Sequence, residues 1–117
     1  MGARVAERPH REIETAELRR LRRRIDVLDR RIVALLNERA ELARDAGRAK
    51  RAAGRRTVRD AEREREVLLR VTMANTGPLP QADLLALYRR LMTATRALEA
   101  LDGRRDGPGG DRRDDDG

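Results

Sequence analysis

Cysteine, serine, phenylalanine and tryptophan are all absent from this 117-residue chain, and histidine, tyrosine and lysine occur once each, as His10, Tyr88 and Lys50. Without cysteine or serine there is no thiol or serine nucleophile, and a lone histidine in a polar leader leaves no Cys/His set for a metal. No Cys/His metal site is therefore expected. Without phenylalanine and tryptophan there are no aromatic platforms for stacking single-stranded bases. No run approaches the ~20 apolar residues that cross a bilayer, and MGARVAERPH lacks the apolar core of a secretory signal, so no membrane association and a cytoplasmic location are expected.

Charge is abundant: 42% of residues are charged, and the net charge is +7. Arginine supplies every one of the 28 basic residues except Lys50. Such a balance suggests an anionic partner, nucleic acid first. Yet both signs are interleaved in stretches such as RDAEREREVLLR, the pattern of a solvated helix face, so basic charge argues only weakly for nucleic acid.

Residues 1–12 lack an apolar period and read as a disordered leader, and residues 103–117, GRRDGPGGDRRDDDG, read as a disordered tail. Residues 13–102 form one domain. Nothing in it alternates with period two, and β-branched residues are sparse, so the expected class is all-α. Leu18, Leu21, Ile25, Leu28, Ile32, Leu35, Arg39, Leu42, Ala46 and Ala49 recur at threes and fours, which predicts one first helix of roughly 38 residues, or ~57 Å at ~1.5 Å per residue. A compact chain of this size has a radius of gyration near ~13 Å, so such a helix must be covered by a second copy. A second helix is predicted from Thr57, with Asp60 as the acid of a T-V-R-D capping box, to about Asn75, carrying Ala61, Leu68 and Val71. A third starts near Pro80, buries Leu84, Tyr88, Leu91, Thr95 and Leu98, and ends at Asp102-Gly103.

Each apolar stripe contains polar groups. Arg39 holds a seam position of the first helix, and Lys50, 11 residues on, points within about 20° of the same direction. Glu64 lies in the seam of the second helix with Asp60 one turn earlier, and Thr95 and Glu99 form an i, i+4 pair on the third. Buried charge is unfavourable by several kcal/mol unless paired or ligated. Two accounts stay open: an internal layer in which Arg39 and Lys50 neutralise Glu64 and Glu99, or a pocket for a small anion. The position of the lone lysine on the inward face favours the pocket, because an ammonium and a guanidinium do different work at a tight site.

The segment LRRRIDVLDRRIVALLNERAELARDAGRAK, followed by VRDAERERE and YRRLMTATRALEAL, resembles the all-helical class of chorismate mutases over about residues 18–101. The resemblance implies an intertwined homodimer with two sites lined by both chains, and a Claisen rearrangement of chorismate, a dicarboxylate, to prephenate. A unimolecular pericyclic step needs no nucleophile or cofactor, which suits this composition. By the same resemblance Arg39 is an in-chain carboxylate clamp and Arg22 an arginine donated across the dimer. Arg22 lies 17 residues before Arg39, so it points about 100° away and roughly 25 Å along the helix, too far for one chain to bring both to one small molecule. Lys50 would donate to the ether oxygen and a carboxylate, Glu64 would accept from the ring hydroxyl, Asp60 and Arg63 match site positions, and Thr95 would contact a carboxylate. Glu99 stands where many members carry glutamine as the second donor to the ether oxygen; a glutamate there must be protonated to donate, so a raised pKa is expected.

Other readings remain: a mutase of 4-amino-4-deoxychorismate or an isochorismate-pyruvate lyase on the same scaffold, and a non-enzymatic helical dimer binding nucleic acid or protein. Docking to another shikimate-pathway enzyme is a further possibility by family analogy.

Overall fold

The computed structural model describes residues 14–55 and 60–106. They form three helices and no strand, α1 (Ala16–Ala52), α2 (Ala61–Ala74) and α3 (Gln81–Asp106). The expected leader, Thr57, and residues 107–117 of the expected tail lie outside the described residues. The chain divides into two compact units, one up to Glu38 and one from Arg39 onward.

In the first unit, Thr15 opens α1 by accepting the Leu18 amide on its hydroxyl at 3.0 Å, and Glu17 places negative charge in the first turn. Every residue from Thr15 to Glu38 is exposed in the single chain. Its apolar stripe is therefore uncovered: Ile25, Leu28, Ile32 and Leu35 are each about half exposed, at 54%, 50%, 51% and 58%.

In the second unit, α1 closes on a Schellman motif written by RAAGRR. The Arg55 amide donates to the Lys50 carbonyl (2.8 Å), the Gly54 amide donates to the Arg51 carbonyl (3.0 Å), and Gly54 takes φ +82°. Glycine is required at that left-handed position, and the cap ties the Lys50 turn to the end of the helix. Helix α2 starts four residues later than predicted. Asp60 is itself the N-cap, accepting the Arg63 amide at 3.0 Å, rather than the acid of a Thr57 box. Glu62 and Glu64 follow in its first turn. Asn75 ends it and shapes the turn to α3, donating to the Leu79 carbonyl and accepting the Gly77 amide. Pro80 accepts the Leu84 amide at 3.1 Å and so sits just before the first turn of α3.

Two expectations for α3 are corrected. The helix does not stop at Asp102-Gly103 but continues to Asp106. Asp102 receives two hydrogen bonds from the Arg44 guanidinium (2.9 and 3.1 Å), and Arg51 reaches Asp106 at 3.5 Å, so pairing to α1 outweighs the low helix propensity of Gly103. The buried face is also rotated by one position: Met92, Thr95, Glu99 and Asp102 are buried, while Leu84, Tyr88 and Leu91 are half-buried and Leu98 is exposed. On α2 the buried residue is Val67, and Ala61 is exposed. Among the described residues only Val67 and Met92 are buried hydrophobics, so the interior of this unit is largely polar.

Candidate active site

A cavity of about 320 Å³ opens in the second unit between the last turns of α1, the start of α2 and the middle of α3. That volume lies at the lower end of the ~300–1,000 Å³ typical of small-molecule sites. From α1 come Arg39 and Lys50, one face of the helix as their spacing predicts, with Leu42, Ala43 and Ala46 between them. From α2 and its cap come Asp60, Arg63, Glu64 and Val67. Thr95, Glu99, Met92 and Arg96 complete the lining from α3. Every candidate residue expected from the sequence is thus gathered here except Arg22. That residue belongs to the first unit, is exposed, and pairs with Glu14.

The internal neutralisation considered from the sequence is realised in part, by the Lys50–Glu99 ion pair. Arg39 lies over the ring of Tyr88, its guanidinium carbon 5.7 Å from the centroid, which holds the long side chain by a cation–π contact and leaves its planar fork for an anion. Lys50 faces Glu99 at 4.0 Å, beyond hydrogen-bond length. Glu64 is paired by Arg96. These bridges lie within the lining, and a space of about 320 Å³ stays open between the walls.

Glu99 is 8% exposed. Burial raises its pKa above the ordinary carboxylate value and Asp102 pushes the same way, against the opposing field of Lys50, Arg51 and Arg96. A raised pKa is the direction a glutamate needs if it is to hold a proton and donate. Its carboxyl is wedged against Gly47 of α1: a Cβ there would stand 3.0 Å from Glu99 Oε1 and 3.1 Å from its Cγ. Any larger residue there requires the Glu99 side chain to give way by a few tenths of an ångström.

Asp60 is shifted the other way. The backbone N–H of Arg63 lowers its pKa, reinforced by Lys50, Arg55 and Arg63, so it stays an ionised cap that fixes the first turn of α2 and with it Glu64. Arg63 points its guanidinium to Glu66 at 2.7 Å and lies at the exposed rim. The Thr95 hydroxyl donates to the Met92 carbonyl at 3.0 Å, the ordinary arrangement of a helical threonine, and must rotate away to donate to a ligand.

Sequence reading missed Arg96 and the Arg44 to Asp102 clamp. Arg96 lies four residues after Met92 and three before Glu99, a helical spacing visible in the sequence, but it was hidden among many arginines and by the one-position error in the buried face of α3. Among the described residues, no group of three or more His, Cys, Asp or Glu side chains is arranged to hold a metal ion, and no helix is long and apolar enough to cross a membrane.

Residues 21–100 match the family model described as chorismate mutase type II. Similar relatives include the bifunctional chorismate mutase/prephenate dehydratases of Aquifex aeolicus (39% identical over 87 residues, 71% of this chain and 24% of the relative) and Neisseria gonorrhoeae (41% over 78 residues, 67% and 21%). The chain thus spans about a quarter of the length of these curated relatives. Among solved structures, the form II chorismate mutase of Thermus thermophilus superposes with a TM-score of 0.68 at 32% identity, over 72% of this chain and 94% of that one. The match runs from α1 through most of α3 and encompasses the whole cavity wall, and on that ground the chain belongs to the chorismate mutase type II family.

Proposed function

We propose that this protein catalyses the rearrangement of chorismate to prephenate in the cytoplasm, as a homodimer with two shared sites. The observation that carries the reading is the cavity, where cations from α1 and carboxyl groups from α2 and α3 surround a space of ligand size without neutralising one another fully. In the reaction the bond between the ether oxygen and ring carbon breaks as a carbon–carbon bond forms between the enolpyruvyl methylene and the ring. No atom is gained or lost. The protein has to fold the substrate into a chair-like conformer and stabilise negative charge developing on the ether oxygen.

Arg39, held by Tyr88, clamps one carboxylate. Lys50 serves the ether oxygen and the neighbouring carboxylate, and protonated Glu99 donates to the same oxygen from the other side. Glu64 accepts from the ring hydroxyl. Asp60 and Arg63 shape the α2 end of the pocket, and Thr95 supplies a hydroxyl. Arg22 comes from the second chain. The dimer itself is supported by the uncovered stripe of the first unit, where nine large apolar side chains from Leu18 to Leu36 are exposed. Burying a leucine or isoleucine contributes ~1.5–3 kcal/mol, so covering that stripe stabilises association by on the order of 10 kcal/mol. Docking to a second enzyme of the pathway is part of the same proposal, supported by relatives whose name joins chorismate mutase to prephenate dehydratase.

The test is the loss of chorismate absorbance with purified protein, with prephenate identified as the product. A rate no faster than that of chorismate alone rejects the reading.

A further inference from the structure

The function proposed above leaves open whether the ring substituent facing Glu64 is a neutral hydroxyl or an amine, which is an ammonium at neutral pH. The arrangement around Glu64 bears on that choice. Arg96 of α3 pairs with Glu64 Oε2 through one guanidinium nitrogen, and a second nitrogen donates to the Thr93 hydroxyl at 3.2 Å, so the fork is held at two points. The pair is part-buried, with side-chain exposures of 25% for Arg96 and 17% for Glu64, where screening by water is reduced. The pair lines both the cavity and a second hollow of about 280 Å³.

A carboxylate in that position does two different things depending on its charge balance. Alone, it attracts a cation. With a guanidinium bonded to it, the negative charge is offset, and a carboxylate offers about four acceptor positions, more than a single guanidinium nitrogen occupies. The other cations of the lining, Arg39, Lys50 and Arg63, outnumber its other carboxyl groups, Asp60 and Glu99, and so add a field that opposes a further positive charge.

We propose that Arg96 is a specificity-determining residue. By pairing with Glu64 it makes that carboxylate an acceptor for a neutral hydroxyl and disfavours a ligand whose ring carries an ammonium at the same place. The inference rests on the chorismate reading and extends it: selectivity between chorismate and 4-amino-4-deoxychorismate is set from α3, behind the group that touches the ring. Discrimination of this kind combines a satisfied hydrogen bond for one ligand with a repelled charge for the other.

The experiment compares kcat/KM for chorismate and for 4-amino-4-deoxychorismate in the wild type, Arg96→Gln and Arg96→Lys, with helicity checked by circular dichroism. The wild type is expected to favour chorismate. Arg96→Gln removes the charge and should shift the ratio toward the amine by about tenfold or more, while Arg96→Lys, which keeps the charge, should hold the ratio within about threefold. A merely structural role for Arg96 would lower both rates together and leave the ratio unchanged. That result overturns the proposal, as does a wild type that turns over the amine as well as chorismate, a measurement needing no variant to fold. A wild type that converts neither compound refutes the functional reading itself, and the specificity proposal falls with it.

Discussion

Replacing Glu99 with glutamine gives the sharpest test of the proposed chemistry. The carboxyl is 8% exposed, and its pKa is raised chiefly by burial and further by Asp102, while Lys50 at 4.0 Å, Arg51 and Arg96 act against the rise. Only the protonated acid has a hydrogen to give the ether oxygen. Below the raised pKa the wild type works with this donor in place; above it, the protonated fraction and kcat fall about tenfold per pH unit. The amide donates at every pH, so Glu99→Gln should have a flat profile through that window and overtake the wild type at its alkaline end. Glu99→Ala, with no donor, should lose about 100- to 1,000-fold in kcat at acidic pH, the usual effect of deleting one donor to a developing oxyanion. Stability shifts in the same window. An acid whose folded pKa exceeds its unfolded one contributes stability that is fully present below the unfolded value and lost as pH rises through the folded value. The melting temperature of the wild type should therefore fall over that range relative to that of Glu99→Gln. The assay is initial-rate chorismate consumption from about pH 5 to 9, and superimposable kcat profiles for wild type and Glu99→Gln would refute the reasoning.

Three further outcomes are expected. Gly47→Ala places a methyl group 3.0 Å from Glu99 Oε1, so kcat should fall about 10- to 100-fold although alanine favours the helix by ~1 kcal/mol; wild-type kcat in this variant would show that Glu99 accommodates the intrusion. Asp102→Asn breaks the two-point clamp from Arg44, and thermal denaturation should show a loss of several degrees, larger than for Glu41→Gln at the exposed end of the same arginine. The Arg44 hydrogen bond depresses the Asp102 pKa, so its contribution exists above the ordinary carboxylate range and disappears as pH falls through the lowered value; the asparagine variant should lack that acid-side loss. Mixing the inactive variants Arg22→Ala and Lys50→Ala should restore about a quarter of wild-type activity after full subunit exchange, because half the dimers are mixed and each holds one intact site of two. No recovery after verified exchange would reject a crossing arginine.

Local chemistry was enough to reveal three helices, the long α1, and the inward face that carries Arg39 and Lys50, because helix periodicity and caps depend on neighbours within about four residues. The same short-range logic exposed Glu64, Thr95 and Glu99 as polar groups on apolar stripes. It failed where contacts span large sequence separations. The Arg44 to Asp102 clamp joins residues 58 apart and carries α3 through Gly103, and the Arg96 to Glu64 pair joins residues 32 apart and gives a cavity-lining carboxylate a partner that periodicity does not show. The rotated burial of α3 has the same origin. A stripe of leucines was available to face inward, but packing against Gly47 and pairing with Arg44 turned Glu99 and Asp102 to the interior instead. Periodicity shows which residues share a face, whereas the direction in which that face turns depends on partners brought close only when the helices pack.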